Sequence, residues 1–109
     1  MKIKVLDGDS LCLEDGRIWA VVSGREFNFD LSEIEEALII TTDLGPFEDD
    51  MCLALRIDSE TAIFIMSAHP CYSVFLFDQL GSAVELDYEQ IIKASQSIGN
   101  AVFSIYKRG

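Results

Sequence analysis

Along most of the chain, apolar and polar residues alternate with a period of two, and that pattern predicts strands. Lys2 to Leu6 places Ile3 and Val5 on one face, and Leu11 to Leu13 forms a second short stretch. Glu14-Asp15-Gly16-Arg17 carries an Asp-Gly pair. Such a pair predicts a type I′ hairpin turn, because both central residues need positive φ. Ile18 to Ser23 is the return strand, Gly24-Arg25 a second turn, and Glu26 to Asp30 a half-buried strand of alternating polar and aromatic residues. Ser32 followed by Glu35 fits a capping box, which makes Leu31 to Glu36 either one helical turn or an irregular crossover. Ala37 to Thr42, Met51 to Asp58 and Thr61 to Ser67 read as strands. Ala62 to Met66 is apolar on both faces, the mark of a central strand covered on both sides.

The period then lengthens. Tyr72, Phe75, Leu76 and Leu80 lie on one helical stripe ending near Gly81, although a strand over Tyr72 to Phe77 stays open. Asp87 caps a second helix with Tyr88, Ile91, Ile92, Ser95 and Ile98 along its inner face, ended by positive φ at Gly99 or Asn100. Ala101 to Tyr106 is the last strand. The expected fold is α+β, a single mostly antiparallel sheet of about six or seven strands, with one or two helices of the C-terminal half packed on one face.

The chain has 109 residues, half of them hydrophobic, which fits one compact domain spanning residues 1–109. It shows no repeat, low-complexity stretch, membrane span or secretory signal. Cys12, Cys52 and Cys71 are odd in number and follow no framework spacing, so reduced, mostly buried thiols in a cytoplasmic protein are expected. The net charge is -11. Between Asp30 and Glu60, Arg56 is the one base against ten acids: Asp30, Glu33, Glu35, Glu36, Asp43, Glu48, Asp49, Asp50, Asp58 and Glu60. Such a field repels nucleic acid and anionic lipid, and it draws a basic protein partner. Plain solubility is the simpler use of the same charge.

No catalytic or cofactor motif is present. Asp43, Glu48, Asp49 and Asp50 do not follow the alternating spacing of a calcium loop, and neither does Asp7-Gly8-Asp9-Ser10. His69-Pro70-Cys71 is read as a turn before the first helix, since a zinc site needs two more ligands and a Cys-His pair must face each other. No metal, cofactor or catalytic residue is therefore assigned. The candidate binding residues are Asp43, Phe47, Glu48, Asp49 and Asp50, in the long acidic connection TTDLGPFEDD. Asp43 is placed to close an Asx-type turn, and Phe47 either folds back onto the sheet edge or faces a partner. The expected arrangement tucks Phe47 in and leaves Glu48, Asp49 and Asp50 in solvent.

Two segments together resemble a known family. Thr41-Thr42-Asp43-Leu44-Gly45-Pro46-Phe47-Glu48-Asp49-Asp50 is one, and Asp87-x-Glu89-x-x-Ile92-x-Ala94-x-x-Ser97-x-x-Asn100-x-x-Phe103 is the other. The pair is similar to a family of small acidic bacterial proteins of unassigned function, over roughly residues 38 to 106. The resemblance implies membership and supplies no mechanism. From the charge, the expected function is a non-enzymatic protein-binding domain, for example an immunity-type inhibitor whose acidic face masks a basic partner. The alternative is a small-ligand binder or enzyme with a pocket between helices and sheet near Thr42, Asp43 and His69. Apolar strand edges favour a homodimer, and the charge opposes it.

Overall fold

The computed structural model describes residues 1–41, 51–97 and 99–108. Among the described residues, eight strands form two sheets: β1 (Lys2–Val5), β2 (Ser10–Glu14), β3 (Arg17–Val22), β4 (Arg25–Asp30), β5 (Glu36–Thr41), β6 (Met51–Arg56), β7 (Ala62–Met66) and β8 (Ala101–Lys107). The order is β1-β7-β6-β5-β8 in a five-stranded sheet and β2-β3-β4 in a three-stranded one. The single sheet expected from the sequence is thus corrected to two. The small sheet is antiparallel throughout, whereas β1 runs parallel to β7 in the large one. Distant pairing causes the split. Ile3 and Val5 meet Ile63 and Ile65, some sixty positions along the chain, instead of the neighbouring β2.

Local chemistry makes the small sheet. Asp15 and Gly16 have φ of 53° and 74°, and Ser23 and Gly24 have 52° and 78°. Both are two-residue turns with positive φ at each centre, the twist that right-handed strands need. The second turn falls one residue earlier than the sequence suggested. A capping box also forms earlier than expected. Asp30, not Ser32, receives the Ser32 amide, and Glu33 returns to the Asp30 amide, closing a 3₁₀ turn over Leu31–Glu33.

The stripe Tyr72, Phe75, Leu76 and Leu80 is fully turned into the core. Phe75, Leu76 and Leu80 are carried by a π-helix, Val74–Leu80, that follows Tyr72 and runs into a short α segment, α1 (Gly81–Ala83). Gly81 therefore does not end the helix. It has ordinary helical angles, and a Cβ there would sit 3.0 Å from the Tyr88 hydroxyl, so the residue is small to let the next element approach. α2 (Tyr88–Gln96) is capped by Asp87, whose side chain accepts the Gln90 amide. Its inner face differs from expectation. Tyr88 and Ile92 are exposed, and the buried position is Ala94. A small side chain lets the helix lie close against β8, while larger apolar residues on the same turn are left outside. The helix ends with Ser97 in extended backbone, and neither Gly99 nor Asn100 has positive φ.

One core joins these parts. Ile3, Val5, Ile39, Leu53, Leu55, Ile63 and Ile65 from the large sheet meet Leu11, Leu13, Ile18 and Ala20 from the small sheet and Phe75, Leu76 and Leu80 from the helix. Thr41 is buried among them, and its hydroxyl donates to the Gly99 carbonyl at 2.8 Å, tying the end of β5 to the α2–β8 connection. The helices and the small sheet thus share one face of the large sheet.

Candidate functional site

The other face of the large sheet is different. Along β5 and β7, burial alternates strictly between buried and half-buried residues. The expectation that Ala62 to Met66 is covered on both sides is therefore corrected: Ile63 and Ile65 are buried, while Phe64 and Met66 are half-exposed. Strand register places the second set side by side. Phe64 pairs with Ala54, and Ala54 with Leu38. In the next row Met66 pairs with Cys52, Cys52 with Ile40, and Ile40 with Val102. Ala54 is 4% exposed and stands between the larger Leu38 and Phe64 in register. Val102 is 61% exposed. The result is an apolar stripe four strands wide, about 15–20 Å across at strand spacing. Leu38, Ile40, Phe64 and Met66 stand outside the core cluster, and among the described residues no helix or second sheet lies over them.

A charged row borders the stripe. Lys2, Ala62, Arg56, Glu36 and Lys107 lie in register across the sheet. Arg56 Nη2 is 3.2 Å from Glu36 Oε1, and the other Glu36 oxygen accepts the Ser104 hydroxyl at 2.9 Å. Lys4 stands beside Phe64 on the edge strand β1. There the surface becomes concave, forming a cleft of about 230 Å³ lined by Lys4, Val5, Leu6, Cys52, Phe64 and Met66.

A second cleft of about 450 Å³ adjoins it at the carboxyl ends of the parallel pair, lined by Val5, Leu6, Asp7, Met66, Ala68 and His69. The His69 ring is 8% exposed and both nitrogens are engaged. Nδ1 accepts the Cys71 amide at 3.0 Å, and Nε2 lies 3.0 Å from the Leu6 carbonyl. That network assigns the proton to Nε2. His69 thus pins the end of β1 to the start of the helix. A general base needs a free lone pair facing substrate, and this ring offers none. The turn assigned to His69-Pro70-Cys71 is observed, and it is a structural clamp.

Asp9 reinforces the same corner. Its carboxylate accepts the Leu6 amide at 2.9 Å and the Ser23 amide at 3.0 Å, joining the loop after β1 to the β3–β4 turn. Those two bonds, Ser23 first, hold its carboxyl below the usual range. Asp30 and Asp58 are lowered in the same manner, chiefly by the amides of Ser32 and Glu60. Burial pushes the Cys12 thiol up, helped by the charge of Glu14. The three cysteine thiols are half-buried, more accessible than the sequence suggested. A third, shallow groove lies between the start of α2 and β8, lined in part by Glu85, Asp87, Tyr88 and Lys107. Among the described residues no group of three or more His, Cys, Asp or Glu side chains converges as a metal site would need.

Of the residues singled out from the sequence, Thr42, Asp43, Phe47, Glu48, Asp49 and Asp50 lie outside the described residues, as does Ile98. The acids of the described window are mostly committed within the chain. Glu35 and Glu36 pair with Arg56, and Asp30 with Arg17. Glu33 caps Asp30, and Asp58 accepts the amides of Glu60 and Thr61. The open stripe itself was missed by sequence reasoning. Its signal was there, in strands apolar on both faces. No family model, curated protein or solved structure matches this chain.

Proposed function

We propose that this protein is a protein-binding domain, and that it docks through the open face of its five-stranded sheet. The observation that carries the reading is the stripe of Leu38, Ile40, Phe64, Met66 and Val102, apolar and without a covering layer among the described residues. Apolar side chains scattered singly over a surface need no explanation, whereas a contiguous stripe marks a contact site. The clamped His69 supports binding over catalysis, because its ring nitrogens hold the fold together. A photocrosslinking amino acid in place of Val102 tests the reading in cells that express the protein, with one in place of exposed Glu26 on β4 as the control. A defined adduct from position 102, identified by mass spectrometry and missing from the control, is expected. Equal adducts at both positions, or none at 102, would overturn it.

The second reading is the immunity-type inhibitor of a basic protein, favoured by the net charge of -11. Its attraction acts at long range and is screened by salt. Co-purification of a cationic partner at low salt and its loss at high salt would support this reading; retention at high salt would favour the apolar face.

A further inference from the structure

The open face is also the place where this acidic protein keeps its uncommitted positive charge. Of its eight bases, five have partners inside the chain. Arg17 pairs with Asp30, Arg56 with Glu35 and Glu36, and Lys93 with Glu89. Arg108 donates to the Ser32 carbonyl, and Arg25 lies over the Phe27 ring. The other three are Lys2, Lys4 and Lys107, and no carboxylate among the described residues lies within ion-pair distance of them. Register puts all three on the open face. Lys2 and Lys4 alternate with buried Ile3 and Val5, and Lys107 pairs with Glu36, whose carboxylate already serves Arg56 and Ser104.

We infer that the partner is a protein segment with an apolar face and acidic flanks, an amphipathic element whose carboxylates meet Lys2, Lys4 and Lys107. This rests on the docking face proposed above and names the chemistry of its occupant. An apolar side chain of the segment enters the cleft of about 230 Å³ beside Phe64 and Met66, where Lys4 stands at the rim to take a neighbouring carboxylate. One argument favours such a segment over a second copy of this chain: two copies would bring their like-charged lysine rims into contact. The distant acids do not forbid an acidic segment. At physiological salt they are screened over ~8 Å, while contact pairs on the face persist.

Two synthetic amphipathic peptides of about 16 residues, with identical Leu and Phe faces but flanked by Glu in one and by Lys in the other, are the probes. Each is titrated at physiological salt into the ¹⁵N-labelled full chain and into a Lys4→Glu, Lys107→Glu variant, and the free protein is checked by light scattering over a concentration series. The Glu-flanked peptide should bind about ten-fold tighter than its Lys-flanked counterpart. Amide shifts should be confined to β1 and β5–β8, and the variant should lose that preference. If the Lys-flanked peptide binds as tightly at the same amides, the acidic partner is refuted and the docking face stands. If neither peptide shifts those amides, both are refuted. Concentration-dependent dimers that move the same amides would make a second copy the occupant and overturn the inference.

Discussion

Ile39 and Ile40 are consecutive residues of one strand with the same side chain, and they face opposite ways. Ile39 is 1% exposed and packs beside Leu53, which is fully buried. Ile40 is half-exposed between Cys52 and Val102. Ile39→Ala removes buried carbon and leaves a cavity, which costs about 2–5 kcal/mol. That is a large part of the ~5–15 kcal/mol that holds a domain of this size folded. Ile40→Thr keeps the β-branched shape that suits a strand and turns a hydroxyl toward water, so its cost should stay below about 1 kcal/mol. In urea, with a slope of ~2 kcal/mol/M for a domain of this size, the first change lowers the unfolding midpoint by about 1–2.5 M and the second by under ~0.5 M. Equilibrium unfolding followed by far-UV circular dichroism, with tryptophan fluorescence as a second probe, measures both. A midpoint for Ile40→Thr as low as that for Ile39→Ala would mean that a layer covers this face in the folded protein. The reasoning from an open face would then fail, and with it the proposed docking site.

The carboxylates of Asp9, Asp30 and Asp58 have pKa values depressed by backbone amides. Their stabilisation is present above the ordinary carboxylate range and is lost as pH falls through the lowered folded values. Asp9→Asn should therefore flatten the acid limb of a stability-versus-pH curve while leaving the fold intact; an unchanged limb counts against the clamp. Thr41→Val removes the hydroxyl that reaches the Gly99 carbonyl inside the fold. It should cost about 1–2 kcal/mol and speed amide exchange at the start of β8; a neutral result would show that this bond adds nothing. The raised Cys12 thiol should alkylate with iodoacetamide at mildly alkaline pH more slowly in the native protein than in urea, by site-resolved mass spectrometry, and equal rates would contradict its desolvation.

Much of the fold was legible where the chemistry is local. The Asp15-Gly16 turn, the Asp87 cap and the Tyr72, Phe75, Leu76 and Leu80 stripe each depend on residues a few positions apart, and each stands in the structure. What was not legible depends on distance. Nothing in Lys2 to Val5 says that its partner is β7 and that the two run parallel, yet that pairing separates two sheets from one. The inner face of α2 shows a second limit. Hydrophobicity pointed to Tyr88 and Ile92, but the contact with β8 selects for closeness, and Ala94 supplies it. His69 gives a third case. Its neighbours in sequence are silent about the Leu6 carbonyl that occupies its ring.

The candidate site was written in the sequence and misread for a physical reason. A strand apolar on both faces implies two packing layers, and Ala62 to Met66 reads that way. Two layers need material. In this chain the small sheet, the π-helix and α2 are all spent on one face of the large sheet, which consumes the described elements outside it. Phe64, Met66, Leu38 and Ile40 are then left with the composition of a core and only partial burial. An apolar face of this kind is costly in an isolated chain, because it invites aggregation. The lysines along its border and the strong net charge limit that cost, since identical faces repel before they meet. On the reading proposed above, the lysine border alone, and not the net charge, would both hold copies of this face apart and favour an acidic occupant.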